Sequence, residues 1–286
     1  MKVPLLDLKR QYKYLKNDIL PGLNELMEAQ TFILGEPLGR FERAIGDYFE
    51  TEYALGVASG TDALILALDQ AGVKPGDEVI TTPFTFFATA GAITRLGAVP
   101  VFVDINPSTY NMDVNLIAEK ITPKTKAILP VHLFGQSADM DFIMKVALEH
   151  DLQVIEDACQ AIGATYKGNK VGTIGDFGAF SFFPSKNLGC FGDGGMITVK
   201  DYDNYTRLKA MRMHGETKKY SHDFVGYNSR LDSLQAFVLE KKLKYLNNWH
   251  EMRRDHAQKY NAAFKERGLD EFITVPYESS VNYHIY

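Results

Sequence analysis

The feature that most constrains the fold is the alternation of short, β-branched apolar segments with segments of helical periodicity from residue 53 to residue 211. A strand that is followed by a helix and then by another strand favours a parallel sheet with helices on its faces. Residues 127–129 are apolar at every position, which is typical of a strand buried on both sides. The sequence therefore predicts an α/β fold built on a mostly parallel sheet. The predicted strands are 53–58, 78–82, 99–103, 126–131, 153–156, 178–183 and 196–199, and the predicted helices are 61–70, 86–96, 114–120, 139–150 and 201–211.

The last third of the chain has a different pattern. From residue 231 to about residue 267 the periodicity is helical, with Leu231, Leu234 and Val238 on one face. Gly268 ends this segment, and residues 283–286 are typical of a further strand. The α/β part is therefore followed by one long helical segment and then by a new strand.

Composition and charge limit the classes of function. With 286 residues, 45% of them hydrophobic, the chain can bury a core of its own. Its 31 basic and 36 acidic residues give a net charge of −5, which does not favour nucleic acid or an anionic membrane surface. The longest uncharged segment, residues 79–94, is too short and too polar to span a bilayer. We expect a protein that binds neither nucleic acid nor membrane.

The chain has only two cysteines, Cys159 and Cys190. Two cysteines cannot form a disulfide framework or a cysteine-rich metal site. Reduced thiols in the core of a cytoplasmic protein are therefore expected, and no metal site is predicted.

A first candidate site is the strand-to-helix junction Ser59-Gly60-Thr61-Asp62. Free N–H groups at a helix start bind anions, and Gly60 would let the backbone approach a ligand closely. The alternative is an ordinary N-capped helix, since serine and threonine are common caps. The glycine patterns of dinucleotide-binding and P-loop proteins are absent from the sequence.

A second candidate site is the pair Glu156-Asp157, which a predicted buried strand delivers at its carboxyl end. Open α/β sheets bind their ligands at that end, so one of the two carboxylates could hold a cationic group of a ligand. A helix cap or a surface acid is the alternative.

A third candidate site is Lys186, which follows an aromatic strand and Pro184 and precedes four glycines in residues 189–195. An amine among apolar groups such as Phe182, Phe183 and Phe191 loses solvation of its charged form and becomes nucleophilic. The alternative is a solvated loop lysine.

Together these three sites fit one cofactor, pyridoxal 5'-phosphate (PLP). PLP requires a lysine for a Schiff base, a carboxylate at its pyridine nitrogen and an anion site for its phosphate. An aromatic cover over the ring is also expected, and Phe84, Phe86 and Phe87 could supply it, although they could equally belong to the core.

At this point the order of the motifs resembles that of the DegT-type family of nucleotide-sugar aminotransferases, which are PLP enzymes of fold type I. The resemblance extends over essentially the whole chain. It implies a three-layer sandwich with a central, mostly parallel seven-stranded sheet. The motifs that carry it are Ser59-Gly60-Thr61-Asp62-Ala63-Leu64, Thr85-Phe86-Phe87-Ala88-Thr89, Pro130-Val131-His132-Leu133-Phe134-Gly135-Gln136, Glu156-Asp157-Ala158-Cys159-Gln160, residues 181–195 and Gly226-Tyr227-Asn228-Ser229-Arg230-Leu231-Asp232.

The resemblance also implies a domain organisation. Residues 1–240 would form the PLP-binding large domain, with an N-terminal arm and helix in residues 1–35. Residues 241–286 would form a long connecting helix and the start of a small C-terminal domain. Because members of the family continue further, we expect that small domain to be truncated.

The resemblance implies a role for each residue of a cofactor site. Lys186 would form the Schiff base and later move the proton between substrate and cofactor. Asp157 would pair with the pyridine nitrogen, and Gln160 would lie near the phenolic oxygen of the ring. Phe86 would stack on the ring, and Asn228 would reach the phosphate of the neighbouring subunit's cofactor in a homodimer. The cofactor phosphate itself would be held by Gly60, Thr61, Asp62 and Ser181.

The substrate residues follow in the next segments. Arg230 could bind a carboxylate with its guanidinium, or it could form a structural ion pair with Asp232 or Glu240. His214, Tyr220 and His222 lie in a polar, glycine-containing segment typical of a substrate loop. This segment is similar to one in family members that aminate carbon 3 of the sugar.

The implied reaction is transamination in two half-reactions, with L-glutamate as the donor and a nucleotide-linked keto-sugar as the acceptor, such as a 3-keto-6-deoxy sugar. The product would be an amino-sugar nucleotide for polysaccharide biosynthesis. Two alternatives stay open: a keto-inositol aminotransferase or other PLP chemistry on the same fold, and a catalytically inactive PLP-binding regulatory protein. Lys186 disfavours the dehydratase branch of the family, which has histidine at that position.

Overall fold

A computed structural model describes Pro4 and residues 6–273, so the strand predicted over residues 283–286 lies outside the described residues. The centre is a seven-stranded sheet with the order β1-β9-β8-β5-β4-β2-β3. All of its strands run in one direction except β9, which pairs antiparallel with both β1 and β8. The predicted sheet is confirmed. The strands are β1 (Tyr53–Val57), β2 (Glu78–Thr81), β3 (Val99–Phe102), β4 (Thr125–Ile128), β5 (Gln153–Asp157), β6 (Thr165–Tyr166), β7 (Asn169–Lys170), β8 (Phe177–Ser181), β9 (Gly195–Val199), β10 (Glu216–Lys218) and β11 (Ser221–His222).

Helices cover both faces of this sheet. The helices of the described residues are α1 (Leu8–Ala29), α2 (Glu36–Phe49), α3 (Gly60–Gln70), α4 (Ala88–Arg95), α5 (Met140–His150), α6 (Tyr202–Met211), α7 (Ser233–Leu243) and α8 (Leu246–Glu266). None of the helices in the described part of the chain is both long and apolar enough to cross a membrane.

The core has two sides because strand residues alternate between the faces of the sheet. Leu55 and Ala179 face the layer of α3, α4 and α6. Their neighbours Ala54 and Phe180 face the opposite layer, which contains α2 and α7. Further along the sheet, α5 covers that same face. This is the predicted three-layer arrangement, and it buries α3 between the sheet and its neighbouring helices.

Two predicted helices have a different form. Residues 114–120 form two 3-10 turns, Val114–Leu116 and Ala118–Lys120, instead of one α-helix. The segment ends just before Pro123, which disfavours helical backbone in the residue that precedes it, so it is too short to sustain a longer helix.

The long helix predicted after residue 231 is interrupted at Lys244 and Tyr245. The Tyr245 N–H donates to the carbonyl of Lys242, three residues back, which tightens the turn. Both side chains then donate to Asp18 Oδ2 on α1, Lys244 at 3.1 Å and Tyr245 at 2.7 Å. Contact with α1 therefore divides the segment into α7 and α8. Gly268 follows α8 with a φ of 64°, as predicted for a residue that ends a helix.

Candidate active site

A cavity of about 390 Å³ opens at the carboxyl edge of the sheet, and we call it the sheet-edge cavity. It lies where β1 leads into α3, β5 ends at Asp157 and β8 ends at Ser181. Its size falls in the range of small-molecule sites. The structure brings three separately predicted sites together on its wall. The predicted site residues that line it are Gly60, Thr61, Phe86, Asp157, Gln160, Ser181 and Lys186.

The start of α3 forms one wall. Ser59 caps the helix: its Oγ accepts the Asp62 N–H at 3.1 Å. The Asp62 N–H, which was predicted to bind a phosphate, thus donates to Ser59 instead. Asp62 is also not among the residues of the cavity wall. Gly60 and Thr61 line the cavity, and their N–H groups precede the first intrahelical bond and have no acceptor within the described residues.

Gly60 is required here by space. A Cβ at this position would lie 2.6 Å from Ser181 Cβ and 3.0 Å from Cys159 Sγ. The helix start therefore packs directly on the end of β8, and an anion bound by α3 would also meet Ser181.

The two adjacent acids of β5 have separate surroundings because successive strand residues face opposite sides. Glu156 is fully buried, and its oxygens accept hydrogen bonds from His132 and from the N–H groups of Gly172, Ile174 and Gly175 at 2.6 to 2.8 Å. Asp157 lines the sheet-edge cavity. Glu156 is thus a structural acid, and only Asp157 is placed to bind a ligand.

The charge of Glu156 is held by these contacts. Burial by itself raises the pKa of Glu156, but the hydrogen bonds from His132 and from backbone N–H groups outweigh it and lower the pKa from 4.5. His132 Nδ1 accepts the Ala138 N–H at 3.0 Å, so Nε2 carries the hydrogen that Glu156 receives. A neutral histidine therefore joins the end of β4 to an ionised Glu156.

Asp157 is oriented by two donors and is 5% exposed. Thr89 Oγ1 donates to its Oδ2 at 2.8 Å, and the Cys159 N–H donates to its Oδ1 at 3.2 Å. Thr85 Oγ1 lies 2.8 Å from Thr89 Oγ1 and extends this chain to the cavity wall. The carboxylate is fixed in one orientation while each oxygen keeps a lone pair for a ligand.

Lys186 also lines the cavity, from an irregular segment after β8. Its N–H donates to the Phe183 carbonyl at 2.8 Å. Of the aromatic residues predicted to surround it, Phe183 lines the cavity, Phe182 is buried in the core below, and Phe191 lies against Tyr12.

Cys159 also lines the cavity and lies near both Asp157 and Lys186. Burial raises the pKa of the Cys159 thiol well above its usual value, Asp157 raises it further, and the Lys186 amine opposes the rise. The thiol therefore lies within the electrostatic reach of both the acid and the lysine, and it is a neutral wall group.

Gln160 presents its amide to the cavity from a fixed position. Its Oε1 accepts the Phe134 N–H at 3.0 Å, which leaves the NH₂ end for a ligand. Phe134 has a φ of 56° in a short turn after β4, and this unusual backbone aims its N–H at Gln160.

The predicted aromatic cover is only partly realised. Phe86 lines the cavity but is 70% exposed. Phe84 packs against Tyr110 and Phe134 instead. Phe87 is largely exposed and is not part of the cavity wall.

The predicted substrate residues and Asn228 lie outside the sheet-edge cavity. Tyr220 is 85% exposed, and His222 Nδ1 is 3.1 Å from the His214 carbonyl in the β10–β11 hairpin region. Asn228 is exposed and forms a bridge with Met213, whereas Arg230 is half-buried. Glu240, one of the two partners considered for Arg230, pairs with Arg40 instead.

The sequence reasoning missed the hydroxyls of Thr85 and Thr89 and the thiol of Cys159. The spacing of the threonines was an available signal, because two residues that are four positions apart at the start of a helix can lie on the same face. Nothing in the sequence indicates that the Cys159 thiol contacts the cavity, because that depends on how closely α3 approaches β8.

Comparison with known proteins agrees with this geometry. Residues 13–286 match the DegT/DnrJ/EryC1/StrS aminotransferase family. A Geobacillus stearothermophilus protein named a pleiotropic regulatory protein is 49% identical over 100% of this chain and 77% of its own length. A UDP-N-acetyl-3-dehydro-α-D-glucosamine 3-aminotransferase of Acidithiobacillus ferrooxidans is 45% identical over 99% of this chain and 75% of its own length. The structure of NtdA from Bacillus subtilis with bound cofactor PMP covers 100% of this chain and 66% of that one, with a TM-score of 0.94 and 36% identity.

A lysine amine, an oriented carboxylate and free helix N–H groups on one cavity fit PLP, so fold and site together define a PLP-dependent aminotransferase of fold type I. The chain belongs to the DegT/DnrJ/EryC1/StrS aminotransferase family. The predicted enzyme class and cofactor are confirmed.

Proposed function

We propose that this chain transfers the amino group of L-glutamate to a nucleotide-linked keto-sugar. The single observation that carries the proposal is the convergence of Lys186, Asp157 and the start of α3 on the sheet-edge cavity. PLP, when bound, withdraws electrons from the substrate carbon that loses or gains a proton. The chain must then hold the ring and keep its nitrogen protonated. It must also move the proton that the substrate carbon loses or gains.

The residues of the cavity divide these tasks. The Lys186 amine would hold the cofactor covalently and carry the proton once a substrate has displaced it. Asp157 would pair with the ring nitrogen, since Thr89 and Cys159 hold its carboxylate in one orientation. The phosphate would lie against the free N–H groups of Gly60 and Thr61 and the hydroxyl of Ser181.

Two further residues would bind the ring. The NH₂ group of Gln160 would donate to the phenolic oxygen, because its Oε1 is already bonded to Phe134. Phe86 would cover one face of the ring, and its exposure supports a position at the cavity mouth.

The acceptor would bind between two copies of the chain. Phe84, Phe86, Phe87 and Phe183 expose aromatic surface around the cavity mouth, which supports a homodimer at this face. Asn228 would reach the neighbouring cavity, and its exposure is compatible with that role. Arg230, His214, Tyr220 and His222 are proposed to contact the acceptor. Two free cysteines support a cytoplasmic location.

The Acidithiobacillus relative, by its name, aminates carbon 3 of a UDP-linked sugar, and this supports a 3-keto-sugar as acceptor. The test is to incubate the PLP-loaded protein with ¹⁵N-glutamate and a panel of UDP- and dTDP-linked 3-keto-sugars and keto-inositols. We expect ¹⁵N in an amino-sugar nucleotide. Label found only in an aminated inositol would contradict the choice of acceptor.

A regulatory protein without turnover is the second candidate, because the Geobacillus relative is named as a regulatory protein. Such a protein would bind PLP and keep its PLP spectrum in excess glutamate, whereas an aminotransferase would lose it.

A further inference from the structure

The segment that carries Lys186 has little regular structure of its own, and we call residues 183–194 the lysine loop. Its base is closed by two backbone bonds: Phe182 N–H to the Gly194 carbonyl and Cys190 N–H to the Phe182 carbonyl, both 2.8 Å. Between these points the loop has turns and no strand or helix. Contacts from outside must therefore fix where the Lys186 side chain enters the sheet-edge cavity.

A second lysine lies beneath this loop. Lys242, on α7, is 2% exposed, and its Nζ donates to the Gly189 carbonyl at 2.6 Å. The same Nζ lies 4.7 Å from the centre of the Phe191 ring, within the range of a cation–π contact. A buried lysine is rare unless it is paired, and both groups that Lys242 contacts belong to the lysine loop.

Within residues 6–273, no carboxylate forms an ion pair with Lys242. Burial lowers the pKa of Lys242 to about 8, and the Cys190 thiol has a smaller opposing effect. The Cys190 thiol itself donates hydrogen bonds to the carbonyls of Phe182 and Gly192, with both oxygens 3.0 Å from Sγ. Burial of the Lys242 amine therefore costs the free energy of its solvation. The hydrogen bond to the Gly189 carbonyl offsets that cost.

A second side chain of α7 holds the loop in the same way. Gln235 Oε1 accepts the Phe191 N–H at 2.8 Å. Gln235 and Lys242 are seven residues apart and therefore lie on one face of the helix. Between them, Leu239 packs in the same core as Leu188 and Cys190. The face of α7 that contacts the loop therefore has a polar residue at each end, Gln235 and Lys242, and the apolar Leu239 between them.

We propose that Lys242 is a positioning residue that, with Gln235, fixes the lysine loop on α7 and so sets where the Lys186 amine lies in the cavity. Neither side chain is part of the cavity wall, so both would act through the loop backbone. The inference rests on the proposed function for its consequence in catalysis. The contacts of Lys242 and Gln235 with the lysine loop are present in the protein without cofactor.

The test compares Lys242→Met with the wild-type chain and with Lys241→Met. Methionine keeps an unbranched side chain that is one atom shorter and removes the N–H donors. Lys241 is the matched control, because its Nζ lies over the Phe237 ring and away from the lysine loop. Two readouts are taken: amide hydrogen exchange of the apoprotein, read in peptides from residues 183–194 and from α3, and the dissociation constant of PLP.

For Lys242→Met we expect exchange in the lysine loop about tenfold faster, exchange in α3 unchanged, and PLP bound about tenfold more weakly, as for loss of one hydrogen bond to a charged group. Lys241→Met should match wild type in both readouts. Unchanged loop exchange together with a PLP dissociation constant within about twofold of wild type would overturn the inference.

If Lys242→Met does not fold, the pair Gln235→Met and Gln235→Glu decides. Glutamate keeps an acceptor for the Phe191 N–H and should retain slow loop exchange, whereas methionine should lose it. Equal exchange in both variants would overturn the inference. Wild-type protein that failed to bind PLP would contradict the proposed function, while the exchange of the apoprotein would still test the clamp.

Discussion

The sheet-edge cavity and the segment from His214 to Arg230 differ in how completely one chain builds them. An acid, a lysine and a helix start all line the cavity, and protein donors fix the acid. In the other segment Tyr220, His222 and Asn228 are exposed, and none lies on the cavity wall. The difference teaches that groups for a constant cofactor are organised within the described chain. The groups proposed to bind the variable acceptor lie in an exposed hairpin and the segment after it, where the proposed homodimer would complete them with a second chain.

The largest expected effect is that of Lys186→Ala. Removal of the amine removes both the covalent hold on the cofactor and the proton carrier, so turnover should fall by about a thousandfold or more. Single-turnover spectroscopy with glutamate measures it. Lys145→Ala, a change at an exposed surface lysine, is the control and should behave as wild type. Substantial turnover in Lys186→Ala would contradict the lysine assignment.

The next effect separates the two acids of β5. Asp157→Asn should lower turnover by about a hundredfold, because the ring nitrogen loses its anion. Its stability should stay close to wild type, since Thr89 can turn its hydroxyl to accept from the new amide. Kinetics and thermal unfolding of the same preparation measure both effects.

Glu156→Gln should show the reverse pattern. Each Glu156 oxygen accepts two hydrogen bonds, so an NH₂ group on either side would face two donors. The free energy of unfolding should drop by about 2 kcal/mol or more. A stable Glu156→Gln variant beside an unfolded Asp157→Asn variant would refute the division of roles.

Glu156 also predicts a pH dependence of stability. Its pKa in the folded chain is lowered from 4.5, so its contribution is present above pH 4.5 and is lost as the pH falls through the lower, folded-state value. Unfolding curves from pH 7 to pH 3 should show a steeper loss in wild type than in Glu156→Gln. Parallel curves would argue against an ionised Glu156.

A smaller effect tests the substrate segment. His222→Ala should raise the KM for the keto-sugar nucleotide by about tenfold while the half-reaction with glutamate stays unchanged. Lys218→Ala, in the neighbouring strand, serves as the control. An equal loss in both half-reactions would place His222 with the cofactor instead of the acceptor.

The smallest effect is expected for Thr89→Val. Valine keeps the shape of the side chain and removes one hydrogen bond to Asp157, so PLP should bind about fivefold more weakly. Titration with PLP measures this change. Wild-type affinity in the variant would show that the Cys159 N–H alone suffices to orient the acid.

The sequence predicted the ends of the strands to within two residues, except that β4 ends three residues earlier than predicted, because apolar, β-branched segments bounded by polar turns are a local signal. It also identified Lys186, Asp157 and the start of α3, since each follows a strand at the edge where parallel sheets bind ligands. The pattern of residues alone did not distinguish Glu156 from Asp157, and the choice of Asp157 came from the family resemblance. Alternation along a strand says that the two side chains face opposite ways, but only packing shows which face meets the cavity.

The remaining features depend on contacts distant in sequence. The break at Lys244 depends on Asp18, and the burial of Lys242 depends on the path of the lysine loop. Charged residues in a helical pattern normally predict a solvated face, so no local rule would have assigned Lys242 to the core.

The most direct test of the central claim is to mix the PLP-loaded wild-type chain with L-glutamate and follow both the cofactor spectrum and the 2-oxoglutarate released. Amino transfer at the sheet-edge cavity predicts loss of the PLP band, appearance of the pyridoxamine spectrum and about one 2-oxoglutarate per bound cofactor, with none of these in Lys186→Ala. A PLP spectrum that persists in excess glutamate, with no 2-oxoglutarate formed, would contradict the account.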